Sequence, residues 1–173
     1  STLGLGGSPE MSEAFERAGR QAVDPSLSIV ERQAAMALLS SAPYSLLESV
    51  ARELLNPRQP AELEIAAVQA LSKAADPGVA RVLLEKWSGY SPRLQAAVFD
   101  ALFGRQDRLP AILDAIREGT VDTSSLDGFR RAQLLESPVP AIRSAARELL
   151  SIRGDGTSDG TRAEALERYR AAL

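Results

Sequence analysis

The feature that most constrains the fold of this chain is a helical spacing of apolar residues that recurs along the sequence. Apolar side chains occupy positions i, i+3, i+4, i+7 and i+8 in four segments, which begin at Leu47, Leu63, Leu94 and Ile142. With partial matches included, the apolar faces begin at residues 15, 30, 47, 63, 79, 94, 109, 126 and 142. This spacing puts the apolar residues on one side of an α-helix, and no segment alternates with the two-residue period of a strand. The sequence therefore predicts an all-α protein.

The intervals between these faces indicate how the helices are arranged. Successive faces begin 15 to 17 residues apart, which corresponds to a helix of about three turns and a short connection. Taken in pairs, the starts recur about every 32 residues, as expected for a repeated helical hairpin. Because one hairpin cannot bury both of its apolar faces, neighbouring hairpins must stack on each other. We expect an α-solenoid, an α-α superhelix of about ten helices in five hairpins.

Residues typical of helix ends separate the apolar runs. Two Ser/Glu pairs have the spacing of a capping box: Ser28 with Glu31, and Ser45 with Glu48. Two dipeptides place an N-cap residue before a proline at the first helical position: Asp76–Pro77 and Ser91–Pro92. Glycines directly after an apolar run are typical helix stops: Gly104 and Gly119.

The two ends of the chain differ from the repeats. Residues 1–10 are rich in glycine and predict a flexible leader, so that the helical-repeat domain is expected to occupy residues 11–173. Within that domain, residues 153–160 form a Gly-rich break. The residues after the break, among them Leu166 and Tyr169, have the spacing of a last amphipathic helix.

The composition excludes several kinds of chemistry. The chain contains no Cys and no His, which removes disulfides, the usual zinc and haem ligands, and nucleophiles activated by histidine. Its formal net charge is −3, whereas binding to nucleic acid requires many convergent cations. No run approaches the roughly 20 apolar residues of a membrane span. We therefore expect no cofactor, no metal, no catalytic residue and no bound nucleic acid.

Two short segments have part of a ligand-binding motif. Residues 4–7 are Gly-rich like a phosphate loop, but no strand precedes them and no Lys-Ser/Thr follows, which favours a linker. Residues 155–160 place oxygen-bearing side chains at the first, third and fifth positions of a calcium loop, with glycine at the sixth. The twelfth position is Leu166 rather than the bidentate Glu of such loops. An ordinary polar turn is therefore favoured, and calcium binding is left open.

Trp87 and Tyr90 lie at a helix end, beside Gly89 and Ser91, which is compatible with a binding hot spot. Trp87 also continues the apolar face that begins at Val79, so packing in the core is the favoured interpretation. The carboxylates of Glu62 and Glu64 point to different faces of one helix and cannot act together as acid and base.

The candidate site consists of four polar residues at corresponding places after the turns into second helices: Arg32, Glu64, Gln95 and Arg131. In a stacked array these residues would form a ladder across the inner face. Their mixed charges favour protein contact or internal pairing over a groove for nucleic acid. We assign them as a candidate protein-contact face, and an ordinary solvated face is an equally open alternative.

Several segments resemble the second helix of short HEAT-like repeats, in which an alanine pair lies between larger apolar residues: 32–39, 63–71, 94–102 and 143–150. The alanines allow neighbouring helices to approach closely, while leucines fill the space between hairpins. The Asn56–Pro57 and Asp76–Pro77 turns are also similar to the Asp-Pro turns of HEAT-like arrays. The resemblance implies that the expected solenoid is HEAT-like.

A second resemblance covers the chain from about Ala14 onward. Residues 102–105, 113–119 and 126–135, with the closing 168–173, are similar to the helical-repeat segment of planctomycete-type membrane-bound dehydrogenase proteins. In that family the segment lies between a β-propeller resembling sugar dehydrogenases and a C-terminal cytochrome c domain. The resemblance implies a periplasmic or membrane-associated oxidoreductase as the parent protein, of which this chain is the connecting array.

The sequence leads to two functional hypotheses. The first is a non-catalytic solenoid that acts as a spacer or protein-docking module, with the flanking domains of its parent chain or a redox partner as its partners. The alternative is a nucleic-acid-binding HEAT-like repeat module. That alternative requires clustered cations and exposed aromatic residues, whereas the arginines here are interleaved with Glu and Asp.

Overall fold

A computed structural model describes residues 8–152, and all regular secondary structure in that range is helical. The nine α-helices of these residues are α1 (Pro9–Val23), α2 (Ile29–Leu39), α3 (Tyr44–Leu54), α4 (Ala61–Lys73), α5 (Gly78–Leu84), α6 (Pro92–Phe103), α7 (Leu109–Arg117), α8 (Gly128–Leu135) and α9 (Pro140–Ile152). Three short 3-10 helices lie in the connections, at Trp87–Gly89, Gln106–Arg108 and Thr123–Ser125. The prediction of an all-α protein is confirmed for the described residues. The helix expected around Leu166 lies outside them.

Several predicted helix ends are confirmed. The backbone amide of Ser28 donates to the carboxylate of Glu31 at 2.9 Å, and the amide of Glu31 donates to the Ser28 hydroxyl at 3.3 Å, which completes a capping box. Ser91 accepts from the amide of Leu94 at the start of α6, with Pro92 at the first helical position. Gly104 forms the C-cap of α6, and Gly119, just after α7, has a positive φ of 79°.

Two predicted helix starts are wrong in detail. The helix α3 begins at Tyr44, after an N-cap at Pro43, so Ser45 lies inside the helix and forms no capping box with Glu48. The helix α5 begins at Gly78 rather than Pro77. The carboxylate of Asp76 still serves that helix start, because it accepts from the amide of Gly78 at 2.7 Å.

The chain divides into two compact units, residues 1–108 and residues 109–173. In the first unit α1 packs on α2, α3 on α4 and α5 on α6, so the helices form three hairpins. Each helix also packs on the helix two places along the chain: α2, α4 and α6 form one row, and α1, α3 and α5 form a second. The helix α1 begins at Pro9, inside the segment predicted as a leader.

The apolar faces found in the sequence form the core of the first unit. The side chains of Leu63, Leu71, Leu94 and Leu102 are at most 1% exposed, which removes most of their apolar area from water. Trp87 is also buried, and its ring centroid lies 4.6 Å from that of Phe99. The interpretation of Trp87 as a core residue is therefore confirmed.

The second unit has a separate packing arrangement within its described residues. Both α7 and α8 pack on α9. Buried Leu113 and Ile116 come from α7, and buried Ile142 and Ala146 come from α9. The helical spacing of apolar residues thus accounts for the core of this unit as well.

We expect Leu71→Ala and Leu102→Ala each to lower the free energy of unfolding by about 2–5 kcal/mol, because each truncation leaves a cavity between packed helices. Urea denaturation followed by circular dichroism measures the change. Met11→Ala is the control, since Met11 is 51% exposed and its truncation should cost about 0.5 kcal/mol or less. Unfolding curves of both leucine variants that overlay the parent curve would contradict the assigned core.

Candidate functional site

The four residues of the predicted contact face occupy equivalent positions. Each is the fourth residue of its helix: Arg32 in α2, Glu64 in α4, Gln95 in α6 and Arg131 in α8. The fourth residue of α9, Arg143, shares this position. The equivalence inferred from the sequence is therefore found in the structure, but it serves a different arrangement of side chains.

Arg32 is directed into the protein. Its side chain is 5% exposed, and its Nε donates to the backbone carbonyl of Ala22 at 2.9 Å. A second nitrogen of the guanidinium donates to Oε1 of Gln59 at 3.0 Å. One buried side chain thus connects the end of α1, the start of α2 and the turn that leads into α4.

The other donors at this position make the same kind of contact. Nε2 of Gln95 donates to the carbonyl of Trp87 at 3.3 Å. In the second unit Arg131 donates to the carbonyls of Leu126, at 3.1 Å, and Thr123, at 2.7 Å. Arg143 donates to the carbonyl of Ser137 at 2.7 Å. In each case the acceptor lies between the preceding α-helix and the donor's own helix. The carbonyls of Trp87 and Thr123 also accept from the backbone amides of Tyr90 and Leu126.

Glu64 is the exception, because an ionised carboxylate cannot donate a hydrogen bond. Its side chain is 7% exposed, and this burial raises the pKa of Glu64 above its usual range. The carbonyls at the end of α3 accept hydrogen bonds from a residue after α5 instead. Nζ of Lys86 donates to the carbonyls of Leu55, at 3.2 Å, and Arg52, at 3.3 Å.

Burial raises the pKa of Tyr90 to about 12, and the negative charge of Glu64 adds to this effect. Tyr90 is 6% exposed, so it contributes to the core and offers little surface to a partner. The hot-spot interpretation of Trp87 and Tyr90 therefore has no exposed aromatic face to support it.

These contacts correct the exposed ladder expected from the sequence. Arg32 and Glu64 offer a partner almost no surface, and the polar atoms of Arg32, Gln95 and Arg131 bind carbonyls of their own unit. The physical reason is the short turn before each helix, which brings carbonyls outside the α-helical hydrogen-bond ladders within reach of the fourth side chain. That a partner touches these residues stays a prediction.

Two structural donors were missed by the sequence analysis. Arg108 is 3% exposed and donates to the carbonyls of Ala101, at 2.9 Å, and Ala74, at 2.5 Å. Burial lowers the pKa of Arg108 below its usual range, and the charge of Arg105 adds to this. Only the position of Arg108 near the end of α6 could have drawn attention to it. Lys86 has no comparable signal in the sequence.

Four arginines at the surface, three of them partly buried, are paired with carboxylates rather than clustered. Arg52 contacts Glu48 at 3.0 Å and also contacts Glu85, which links α3 to the residue after α5. Three further pairs join residues close together in sequence: Arg105 with Asp107, Arg117 with Asp114, and Arg130 with Asp127. Because a neighbouring carboxylate offsets the charge of each of these guanidinium groups, they attract a phosphate backbone less strongly.

Two open grooves on the surface of the first unit could receive a partner. A groove of about 390 Å³ lies between α4 and α6, where Gln69, Ser72, Asp100 and Arg105 line it. A larger groove of about 770 Å³ runs beside α1 and the start of α3, where Met11 and Leu46 supply apolar surface. The first groove carries both signs of charge and the second is largely apolar, so the two suit different contacts.

Within residues 8–152, no group of three or more carboxylates is placed to hold a metal ion. The candidate calcium loop at 155–160 and the Gly-rich residues 4–7 lie outside the described part of the chain. No helix between residues 8 and 152 is both long enough and apolar enough to cross a membrane.

No model of a known protein family matches the chain, and it matches no curated protein and no solved structure.

We expect Arg32→Met to lower the free energy of unfolding by about 1–3 kcal/mol, because the buried carbonyl of Ala22 loses its donor while the apolar part of the side chain is retained. The matched control is Arg17→Met, which replaces an exposed arginine on the neighbouring helix. Thermal or urea unfolding of the two variants measures the difference. Equal stability of both variants would show that the buried contact contributes nothing.

We expect Glu64→Gln to stabilise the protein at neutral pH, because it removes a buried charge and keeps the shape of the side chain. The raised pKa means that the folded parent gains stability from protonation of Glu64 as the pH falls. That gain is lost as the pH rises through the folded pKa. The advantage of the variant should therefore be largest at neutral pH and vanish below the ordinary glutamate pKa of 4.5.

Urea unfolding of the Glu64→Gln variant and the parent between about pH 4 and pH 8 measures this difference. Glu62→Gln is the matched control, because Glu62 lies on the same helix and is exposed. A Glu64→Gln variant that is less stable than the parent at pH 7 would mean that the ionised carboxylate has a favourable partner.

Proposed function

We propose that this chain is a non-catalytic, HEAT-like α-solenoid that acts as a spacer or protein-docking module. The observation that supports this proposal most strongly is the pair of helix rows in the first unit, α1–α3–α5 and α2–α4–α6. Contact of each helix with its neighbour and with the helix two places along is typical of stacked helical hairpins. Proteins built in this way present an extended surface to a partner.

The hydrogen bonds made by the buried polar side chains also support a structural role. Arg32 and Arg108 are almost fully buried, and both donate to backbone carbonyls of the first unit. Such bonds stabilise the stacking of helices, because a buried carbonyl without a donor costs free energy. These side chains are therefore accounted for by the scaffold rather than by a reaction.

The exposed side of the second helices is the surface we assign to docking. Glu62 and Gln69 are exposed on α4, and Arg93 and Asp100 are exposed on α6. Alternating charges of this kind suit a protein partner of complementary pattern, and they give specificity more than affinity. This surface takes the place of the buried ladder as the candidate contact face.

The larger context we propose is that of a connecting array in a redox protein, which rests on the resemblance to membrane-bound dehydrogenase proteins. In that case the same reading frame encodes a β-propeller and a cytochrome c domain, and the protein is periplasmic or membrane-associated. Calorimetric titration of this chain with each of those domains tests the docking role. If neither domain binds, the docking role is ruled out and only the spacer role remains.

Charge reversal identifies the docking surface. We expect Glu62→Lys and Arg93→Glu each to weaken binding to a flanking domain by about 1.5- to 5-fold, the effect of one exposed ion pair. Arg58→Glu is the matched control, because Arg58 is exposed in the turn before α4 rather than on the helix. An equal effect of all three variants would indicate general electrostatic attraction rather than contact at this surface.

We expect no specific binding to duplex DNA, because the paired arginines release few counterions. A fluorescence titration with a duplex of about 20 base pairs tests this, at several salt concentrations. The nucleic-acid alternative predicts submicromolar affinity that falls steeply with salt, and this result would replace the docking proposal.

A further inference from the structure

Lys86 is one of only two lysines in a chain that otherwise uses arginine. Lysines and arginines together number 20, and the two lysines are Lys73 and Lys86. Lys86 is exposed and lies two residues after the end of α5. The two kinds of cation differ in chemistry, because a guanidinium group stays charged, whereas a lysine amine loses its proton more readily and is a target of acylation.

The amine of Lys86 holds the end of another helix. Its Nζ donates to the backbone carbonyls of Leu55, at 3.2 Å, and Arg52, at 3.3 Å. Leu55 is the C-cap of α3, so both acceptors belong to the last turn of that helix, where carbonyls lack intrahelical donors. One exposed lysine thus supplies hydrogen bonds that the helix cannot make for itself.

The residue before Lys86 contacts the same place. The carboxylate of Glu85 contacts the guanidinium group of Arg52, which also contacts Glu48 at 3.0 Å. Arg52 is therefore held twice by the connection between α5 and α6, at its side chain by Glu85 and at its carbonyl by Lys86. We call the contacts that Glu85 and Lys86 make with Arg52 and Leu55 the α3 clip.

We propose that Lys86 is a modification site, at which acylation of the amine by an acyl phosphate opens the α3 clip. The neutral amine attacks the carbonyl carbon of the acyl phosphate. A C–N amide bond forms while the C–O bond to phosphate breaks, phosphate leaves with the electron pair of that bond, and the amine proton goes to solvent. The product is a neutral amide in place of an ammonium group.

The acylated side chain cannot restore the α3 clip. An ammonium group has three donor hydrogens, whereas the nitrogen of a secondary amide has one. At most one of the two carbonyls keeps a donor, and a hydrogen bond between neutral groups is weaker than one from a charged donor. The acyl oxygen also adds an acceptor beside the carbonyls of Arg52 and Leu55. The contact with Leu55 is partly buried, so its loss destabilises the end of α3.

The α3 clip also controls the reaction that opens it. Nζ must leave both carbonyls before it can attack, so the amine reacts while the connection is locally open. Because Lys86 is exposed, this opening does not require the core to unfold. Acylation therefore captures the open connection, and removal of the acyl group allows it to close. The inference does not depend on the spacer or docking role.

Acetyl phosphate is the probe, and Lys73 is the internal control, because it is the exposed last residue of α4. Peptide mass spectrometry of the full chain follows acetylation of each lysine with time. We expect Lys86 to react about threefold or more slowly than Lys73 in the folded protein, and at a similar rate in concentrated guanidinium chloride. A folded-state rate at Lys86 equal to or above that at Lys73 overturns the proposal. So does an unmodified Lys86 after Lys73 has reacted completely.

Two variants with a single lysine assign the effect of acetylation. We expect complete acetylation to lower the melting temperature of Lys73→Arg, which retains Lys86, by about 2–5 °C. Lys86→Arg is the matched control, because it retains Lys73 and reports acetylation at every other amine. Its melting temperature should change by about 1 °C or less. An unchanged melting temperature of acetylated Lys73→Arg, or an equal decrease in both variants, overturns the proposal.

Hydrogen exchange of acetylated Lys73→Arg locates the opening. The amides of Gly89 and Tyr90 donate to the carbonyls of Lys86 and Trp87, so they report the connection itself. We expect these amides to exchange about threefold or more faster after acetylation, while those of α9 in the second unit stay unchanged. Equal acceleration in both units would indicate a general effect of the lost charge, and it would overturn the assignment to the α3 clip.

Discussion

The stacking of helices in this chain depends on satisfying the carbonyls at the ends of helices. A helix leaves its last carbonyls without intrahelical partners, and close packing of the next helix shields them from water. Arg32 donates to a carbonyl at the end of α1, and from the same helical position Gln95, Arg131 and Arg143 donate to carbonyls in the connection before their own helix, each within its own unit. Because the donors are side chains of the following helix, the same contact fixes the turn between the two helices and the depth at which the second one packs.

Much of the fold was predictable because the helical spacing of apolar residues reflects burial directly. Leu63 and Leu71 form one face of α4 in the sequence and are fully buried in the structure. Helix starts were less predictable where two residues compete for the cap. Ser28 caps α2 as expected, whereas Pro43 rather than Ser45 is the N-cap of α3. A short pattern does not show which of two neighbouring residues adopts the extended conformation of an N-cap.

The candidate site was predictable in position but not in orientation. Sequence spacing identified Arg32 and Glu64 as equivalent residues, since equivalence depends only on the repeat length. Whether a long polar side chain points to solvent or folds back onto a carbonyl depends on the turn geometry, which has no sequence period. Arg108 shows the same limit, because its partner Ala74 lies far away in sequence and is brought near only by packing.

Lys86, and not Glu64, donates to the carbonyls at the end of α3, which has a consequence for how such sequences diverge. Where α4 carries an acid in place of a donor, the lysine after α5 supplies the missing hydrogen bonds to the end of α3. The requirement therefore belongs to the carbonyl and not to any one position of the helices. Substitutions can move the donor from one neighbouring helix to another without loss of the stacking. Over time stacked helices of this kind can lose a shared residue pattern at the donor position while the hydrogen bonds to the carbonyls are kept.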